Sequence, residues 1–232
     1  MKPCMWNAAR GAAITLAALF MLAFPAAADD LSDGAAAMQA GDFVTAERLL
    51  RPLAMSGDPQ AQYLMGMGCD GWRWPGSKQS GCGFEWYKKA AAQGHVEAQT
   101  ALGRLYRNGS TEPLNAPLAR NIPEALRRLT WAANRGSAVA QLVLGDIYSN
   151  EGAGTKGQDT QAAKDAYYWY LIATSSFAAH PELATDAYAA QGLSSLPMVT
   201  RAARSKLSPN VAATTEFRAD IFGPMTDRTP LN

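Results

Sequence analysis

The sequence is poor in the side chains that most enzymes use for chemistry. Its 232 residues include two histidines, His95 and His180, and three cysteines, Cys4, Cys69 and Cys82. A zinc site needs several His or Cys ligands at close spacing, and neither histidine has such a neighbour. Nucleophile and phosphate-loop signatures are missing as well: there is no G-x-S-x-G, no Ser three residues before a Lys, and no G-x-x-x-x-G-K-[ST]. The expectation is no catalytic residue, no metal and no cofactor. Charge is also sparse, at 18% Asp, Glu, Lys and Arg, with a formal net charge of +1. That balance offers no electrostatic footprint for a nucleic-acid partner.

What the chain has instead is small residues, 45 alanines and 20 glycines. Some of the alanines belong to residues 1–28, which read as a secretory signal peptide. Lys2 and Arg10 form a basic start and Gly11–Phe24 an apolar stretch too short for a good membrane span. Ala26-Ala27-Ala28 supplies a small-residue cleavage site. The expected location is periplasmic or secreted, with no membrane span once the leader is removed. Cys69 and Cys82 then remain as a pair in an oxidising compartment, where a disulfide is the expected state. A metal or redox pair would call for C-x-x-C spacing or a nearby His. Closing a loop of about 14 residues contributes roughly 3 kcal/mol in the chain-entropy picture.

The remaining small residues fall into a repeat. Three segments align without gaps, opening at Gly57, Gly94 and Gly136, at spacings of 37 and 42 residues. Four residues after each glycine stands Ala-Gln, as Ala61, Ala98 and Ala140. Four further on stand Met65-Gly66, Leu102-Gly103 and Leu144-Gly145. Amphipathic runs precede each opening glycine, at Ala46–Leu53, Phe84–Ala92 and Ala125–Ala133, and a fourth run covers Ala166–Ala173. Their apolar residues recur at helical spacing. The predicted unit is helix, variable loop, helix, short Gly turn. Each opening glycine is expected just past a helix end in the left-handed conformation. The interior glycines are expected to let neighbouring helix backbones approach. Two or three of Tyr167, Tyr168, Trp169 and Tyr170 are expected in the core.

Ala98-Gln99-Thr100-Ala101-Leu102-Gly103-Arg104-Leu105-Tyr106 and Trp86-Tyr87-Lys88-Lys89-Ala90-Ala91-Ala92-Gln93-Gly94 resemble the two helical motifs of the Sel1-like repeat family, relatives of the tetratricopeptide repeats. The resemblance covers about residues 33–178. It implies an all-α protein, an α/α solenoid of about three to four Sel1-like helix-turn-helix repeats with terminal capping helices. The expected organisation is a leader over 1–28, the repeats over 29–179, capping helices over 180–222 and a tail over 223–232. One capping helix is predicted over His180–Leu193. A second should open at Ser208-Pro209, where Pro occupies the first helical position.

Candidate binding residues lie on the surface. Trp72, Arg73 and Trp74 stand between the two cysteines, and aromatics and Arg are enriched at binding hot spots. Packing of both tryptophans into the loop's own small core is the competing reading. Arg104, Arg107 and Asp146 lie on the first helices of their repeats, with plain solvation as the alternative. His95 is expected at the surface, at a helix start. Two G-x-G-x-x-G strings, 66–71 and 152–157, read as inter-helix loops, because a nucleotide site needs a strand before the string. The resemblance implies a protein partner, such as the periplasmic domain of a sensor kinase or another envelope protein. Two further readings are a cell-wall or polysaccharide-associated binding protein and a weak β-lactam-binding or hydrolysing protein.

Overall fold

The computed structural model describes residues 24–70, 82–109, 118–151, 158–184 and 187–222. Trp72, Arg73, Trp74, the second Gly-rich string and all but the end of the expected leader lie outside the described residues. The helices are α1 (Phe24–Ala40), α2 (Phe43–Ser56), α3 (Pro59–Asp70), α4 (Cys82–Ala92) and α5 (Val96–Asn108). They continue as α6 (Ile122–Ala133), α7 (Ala138–Glu151), α8 (Gln161–Ala179), α9 (Ala187–Arg204) and α10 (Pro209–Phe222). A short 3-10 turn, Pro181–Leu183, links α8 to α9. No strand occurs among the described residues. The chain divides into two compact units after Ala90.

In the first unit, α1 packs on α2 and α2 on α3. The core joins Met38, Ala46, Leu50, Ala54, Ala61 and Met65. In the second unit, α5 packs on α6, α6 on α7 and α7 on α8, and α8 also carries α9 and α10. Ala98, Leu102, Ala140 and Leu144 are all fully buried there.

The repeat turns share one construction. Gly57, Gly94 and Gly136 have φ of +106°, +83° and +90°, a region where side chains other than glycine are strained. In the first, the Gly57 N–H donates to Ala54 O and the Asp58 N–H to Leu53 O. In the third, Gly136 donates to Ala133 O and Ser137 to Ala132 O. These paired bonds close the end of the preceding helix as a Schellman motif. The residue after each glycine then opens the next helix. Asp58 Oδ1, His95 Nδ1 and Ser137 Oγ accept from the backbone N–H of Ala61, Ala98 and Ala140. His95 is thus drawn in from the surface, with its side chain only 10% exposed.

The recurring spacing of Ala-Gln has a second purpose. Gln62, Gln99 and Gln141 each reach back eight residues, and their side-chain amides donate to Ala54 O, Ala91 O and Ala133 O. These carbonyls are the ones that also accept the glycine N–H. The last carbonyls of a helix have no partner within it, so the glutamine completes the capping from the following helix. Two of these amides extend further: Gln99 Oε1 accepts from Arg128 Nη1 at 2.9 Å, and Gln141 Oε1 from Ser176 Oγ at 2.7 Å.

The interior glycines receive side chains, where the sequence suggested close backbones. A Cβ on Gly66 would meet the ring of Tyr87, one on Gly103 the side chain of Leu129, and one on Gly145 the ring of Tyr170, each at 2.5 Å. Gly34 in α1 receives Leu50 in the same way, so α1 joins the packing pattern although it lacks the Ala-Gln motif.

The C-terminal half departs from expectation twice. All four of Tyr167, Tyr168, Trp169 and Tyr170 are buried. The reason is that α8 is covered by α7, α9 and α10, which leaves no solvent face at this level. The capping helix also runs beyond Leu193 to Arg204. Ala189, Leu196 and Ala203, buried at seven-residue intervals, carry its apolar stripe through Pro197. Pro197 itself is exposed, so the carbonyl it leaves without a helical donor can turn to water.

Substitution Gly145→Ala is expected to lower stability by about 1–3 kcal/mol through overpacking against Tyr170. Equilibrium denaturation of the variant checks this, and an unchanged midpoint contradicts the packing described.

Candidate functional site

Four helices of the second unit, α5, α7, α8 and α9, converge on one polar cluster. Asp146 of α7 accepts from two phenols, Tyr170 OH on Oδ1 at 2.9 Å and Tyr188 OH on Oδ2 at 2.5 Å. Arg107 of α5 donates from Nη1 to the Tyr188 oxygen at 3.1 Å and stands 3.6 Å from Asp146 Oδ2. The Arg104 guanidinium lies over the Tyr188 ring, 4.5 Å from its centroid, a favourable cation–π arrangement. Three of the sequence-predicted residues, Arg104, Arg107 and Asp146, are therefore brought together. The two residues that join them, Tyr170 and Tyr188, come from α8 and α9.

The cluster is partly sheltered: the Arg107 and Asp146 side chains are 20% and 25% exposed. Burial is the main cause that pushes the phenols of Tyr170 and Tyr188 well above the usual tyrosine range, and the charge of Asp146 adds to it. Both hydroxyls thus stay protonated donors across physiological pH. Chemically, the arrangement is a tie: one carboxylate holds two phenols and faces one guanidinium. The Tyr170 ring that fills the Gly145 notch is fixed at its far end by the same carboxylate.

A second tie joins α8 to α9 and α10. Tyr167 OH donates to Glu216 Oε1 at 2.6 Å, and Arg204 Nε donates to the same oxygen at 3.2 Å. Burial raises Tyr167 to about 12, with the hydrogen bond to Glu216 second. The hydrogen bond from Tyr167 holds Glu216 below the ordinary carboxylate range.

A groove between α8 and α10 is lined by Gln161, Lys164, Asp165, Tyr168, Thr214 and Arg218, with Val211 and Thr215 beside them. Sequence reasoning did not single it out. Its signal was present, because the lining residues of each helix recur at i, i+3, i+4 and i+7, a mostly polar stripe beside the apolar one.

Among the described residues no group of three or more His, Cys, Asp or Glu stands close enough to hold a metal ion. None of the described helices is long and apolar enough to cross a membrane. Cys69 lies half-buried in the last turn of α3 and Cys82 opens α4.

Helix hairpins joined by left-handed glycine turns define the class: an all-α repeat protein. Comparison with solved structures makes this specific. A Sel1 repeat protein from Oxalobacter formigenes superposes with a TM-score of 0.52 at 20% identity, over 85% of this chain and 84% of that one. The chain therefore has the Sel1-like repeat fold. A protective antigen of uropathogenic Escherichia coli strains, displaying an SLR fold, aligns with a TM-score of 0.45 at 19% identity, over 81% of this chain and 38% of that one. In sequence, the chain is 30% identical over 130 residues to Protein SHC1 of two Saccharomyces cerevisiae strains. The match covers 56% of this chain, which spans about a quarter (24%) of the length of those relatives. No family model matches the chain.

Asp146→Asn is expected to destabilise the protein by about 1–3 kcal/mol, since hydrogen bonds to a charged acceptor weaken. Ultraviolet titration of the phenols gives a second readout. A phenol whose folded pKa is raised contributes stability that is complete below its unfolded value near 10 and lost as pH climbs through the folded value. Loss of the Asp146 charge should shift two tyrosine ionisations to lower pH, with burial keeping them above the ordinary range. Identical titration curves for wild type and variant contradict the tie.

Proposed function

We propose that the protein is an exported, non-enzymatic scaffold that binds a protein partner of the cell envelope, such as the periplasmic domain of a sensor kinase. The observation that carries this reading is the fold. Repeat proteins built from helix hairpins offer extended surfaces assembled from neighbouring units. Inference from fold to function is an analogy, so the residues must supply the rest.

Two features of this chain support it. The clusters around Asp146 and Glu216 are structural: each carboxylate holds a tyrosine and faces an arginine. On this reading, recognition of the protein partner lies in a segment between helices. Trp72, Arg73 and Trp74 are the candidate anchors, in the segment between Cys69 and Cys82. The proposed disulfide between these cysteines fixes that segment and lowers the ordering cost of binding. The proposed leader, ending at Ala28, places the pair in an oxidising compartment.

Cross-linking in intact cells tests the reading. A defined protein species should be captured by the wild type and lost in the Trp72→Ala/Trp74→Ala variant, with the helical signal unchanged. Capture unaffected by the double substitution contradicts the role given to the loop. Under denaturing, non-reducing conditions no cysteine of the exported chain should react with a thiol label; two labelled thiols contradict the disulfide.

A further inference from the structure

We propose that the groove between α8 and α10 binds a carboxylate carried next to an aliphatic group. Two helices face each other across it with the same spacing. Gln161, Lys164, Asp165 and Tyr168 occupy i, i+3, i+4 and i+7 of α8, and Val211, Thr214, Thr215 and Arg218 occupy the same positions of α10. The seam beneath the groove is apolar, with Ala163, Ala166, Tyr167 and Ala212 buried in one core cluster. Along the groove above it the facing positions carry two cations, one carboxylate and hydroxyls.

The cations are the decisive pair. Lys164 and Arg218 are half-buried and line the same groove. Neither side chain forms an ion pair or hydrogen bond among the described residues, and the Arg218 guanidinium lies over the Tyr168 ring, 6.0 Å from its centroid. Of the other half-buried arginines of the second unit, Arg107 faces Asp146, Arg128 holds Glu124 and Gln99, and Arg104 lies over the Tyr188 ring at 4.5 Å. Asp165 accepts from Gln161 Nε2 at 2.7 Å within the groove. Two positive charges against one negative leave a surplus of one, which matches a singly charged carboxylate better than a doubly charged phosphate. Charge-assisted bonds from lysine and arginine to such an anion are the strong kind. Val211 and the Tyr168 ring supply an apolar wall for an adjoining side chain.

Two sources present this chemistry: the C-terminal residue of a peptide, and a free branched-chain organic acid. The inference stands apart from the envelope-partner reading, which rests on other residues, Trp72, Arg73 and Trp74.

Calorimetric titration of the purified protein tests it with four probes: N-acetyl-alanyl-valine, its C-terminal amide, isovalerate and inorganic phosphate. The free acid should bind saturably and the amide about tenfold more weakly, as loss of a charged hydrogen-bonding partner implies. Lys164→Gln and Arg218→Gln should each weaken the acid about tenfold at unchanged melting temperature. Asp165→Asn should tighten it, an effect that misfolding cannot mimic. Tighter binding of the dipeptide than of isovalerate supports a peptide terminus, and equal binding supports a free acid. The proposal is overturned by equal affinity for acid and amide. It is also overturned by phosphate binding more tightly than the acid, or by no saturable binding up to about 10 mM.

Discussion

The structure depends on a carbonyl shared at the helix end of each repeat turn, at Ala54, Ala91 and Ala133. Each accepts two donors, the N–H of a left-handed glycine and the side-chain amide of a glutamine eight residues on. The first bond stops the helix and the second ties it to the helix that follows. An unpaired buried carbonyl would cost about 1–3 kcal/mol, so the sharing stabilises the turn and fixes its direction. Once direction is set, the interior glycine of the second helix meets a side chain of the next one, as Gly103 meets Leu129 and Gly145 meets Tyr170.

From that geometry the polar ties follow. Tyr170 is placed by the notch at Gly145, and its hydroxyl then reaches Asp146 on the same helix as the glycine. Asp146 in turn gathers Tyr188 and Arg107 from α9 and α5. A cluster that resembles a recognition surface in the sequence is therefore part of what holds the second unit together. The groove beside α10 differs in kind, because its two cations lack such partners. Helix ends and hydroxyl ties engage many of the buried polar groups, although Asn134 Oδ1 and Thr200 Oγ1 are buried without a hydrogen-bond partner among the described residues.

Much of this was legible from residue spacing. Gly57, Gly94 and Gly136 recur with Ala-Gln at a fixed offset because one local geometry demands them, and local constraints leave local patterns. Helix positions, buried alanines and turn glycines could be read on that basis. Contacts between residues far apart in the chain could not. Tyr188 meets Arg107 across 81 residues and Asp146 across 42, and no periodicity marks that meeting. The four-residue aromatic run misled for a related reason: helical period assigns a solvent face, and α9 and α10 removed it. The helix predicted over His180–Leu193 proved to be Ala187–Arg204, with Pro197 tolerated inside it at an exposed position. The Trp72–Trp74 segment was chosen on composition alone and lies outside the described residues.

The most direct test of the shared-carbonyl account is the stability of Gly57→Ala, Gly94→Ala and Gly136→Ala, each measured by equilibrium denaturation. A Cβ at any of these three glycines meets no heavy atom within 4 Å, so the substitutions probe backbone conformation without steric packing. The account predicts a loss of about 1–2 kcal/mol at each, the cost of holding alanine in the left-handed region. Unchanged or increased stability at all three would contradict it.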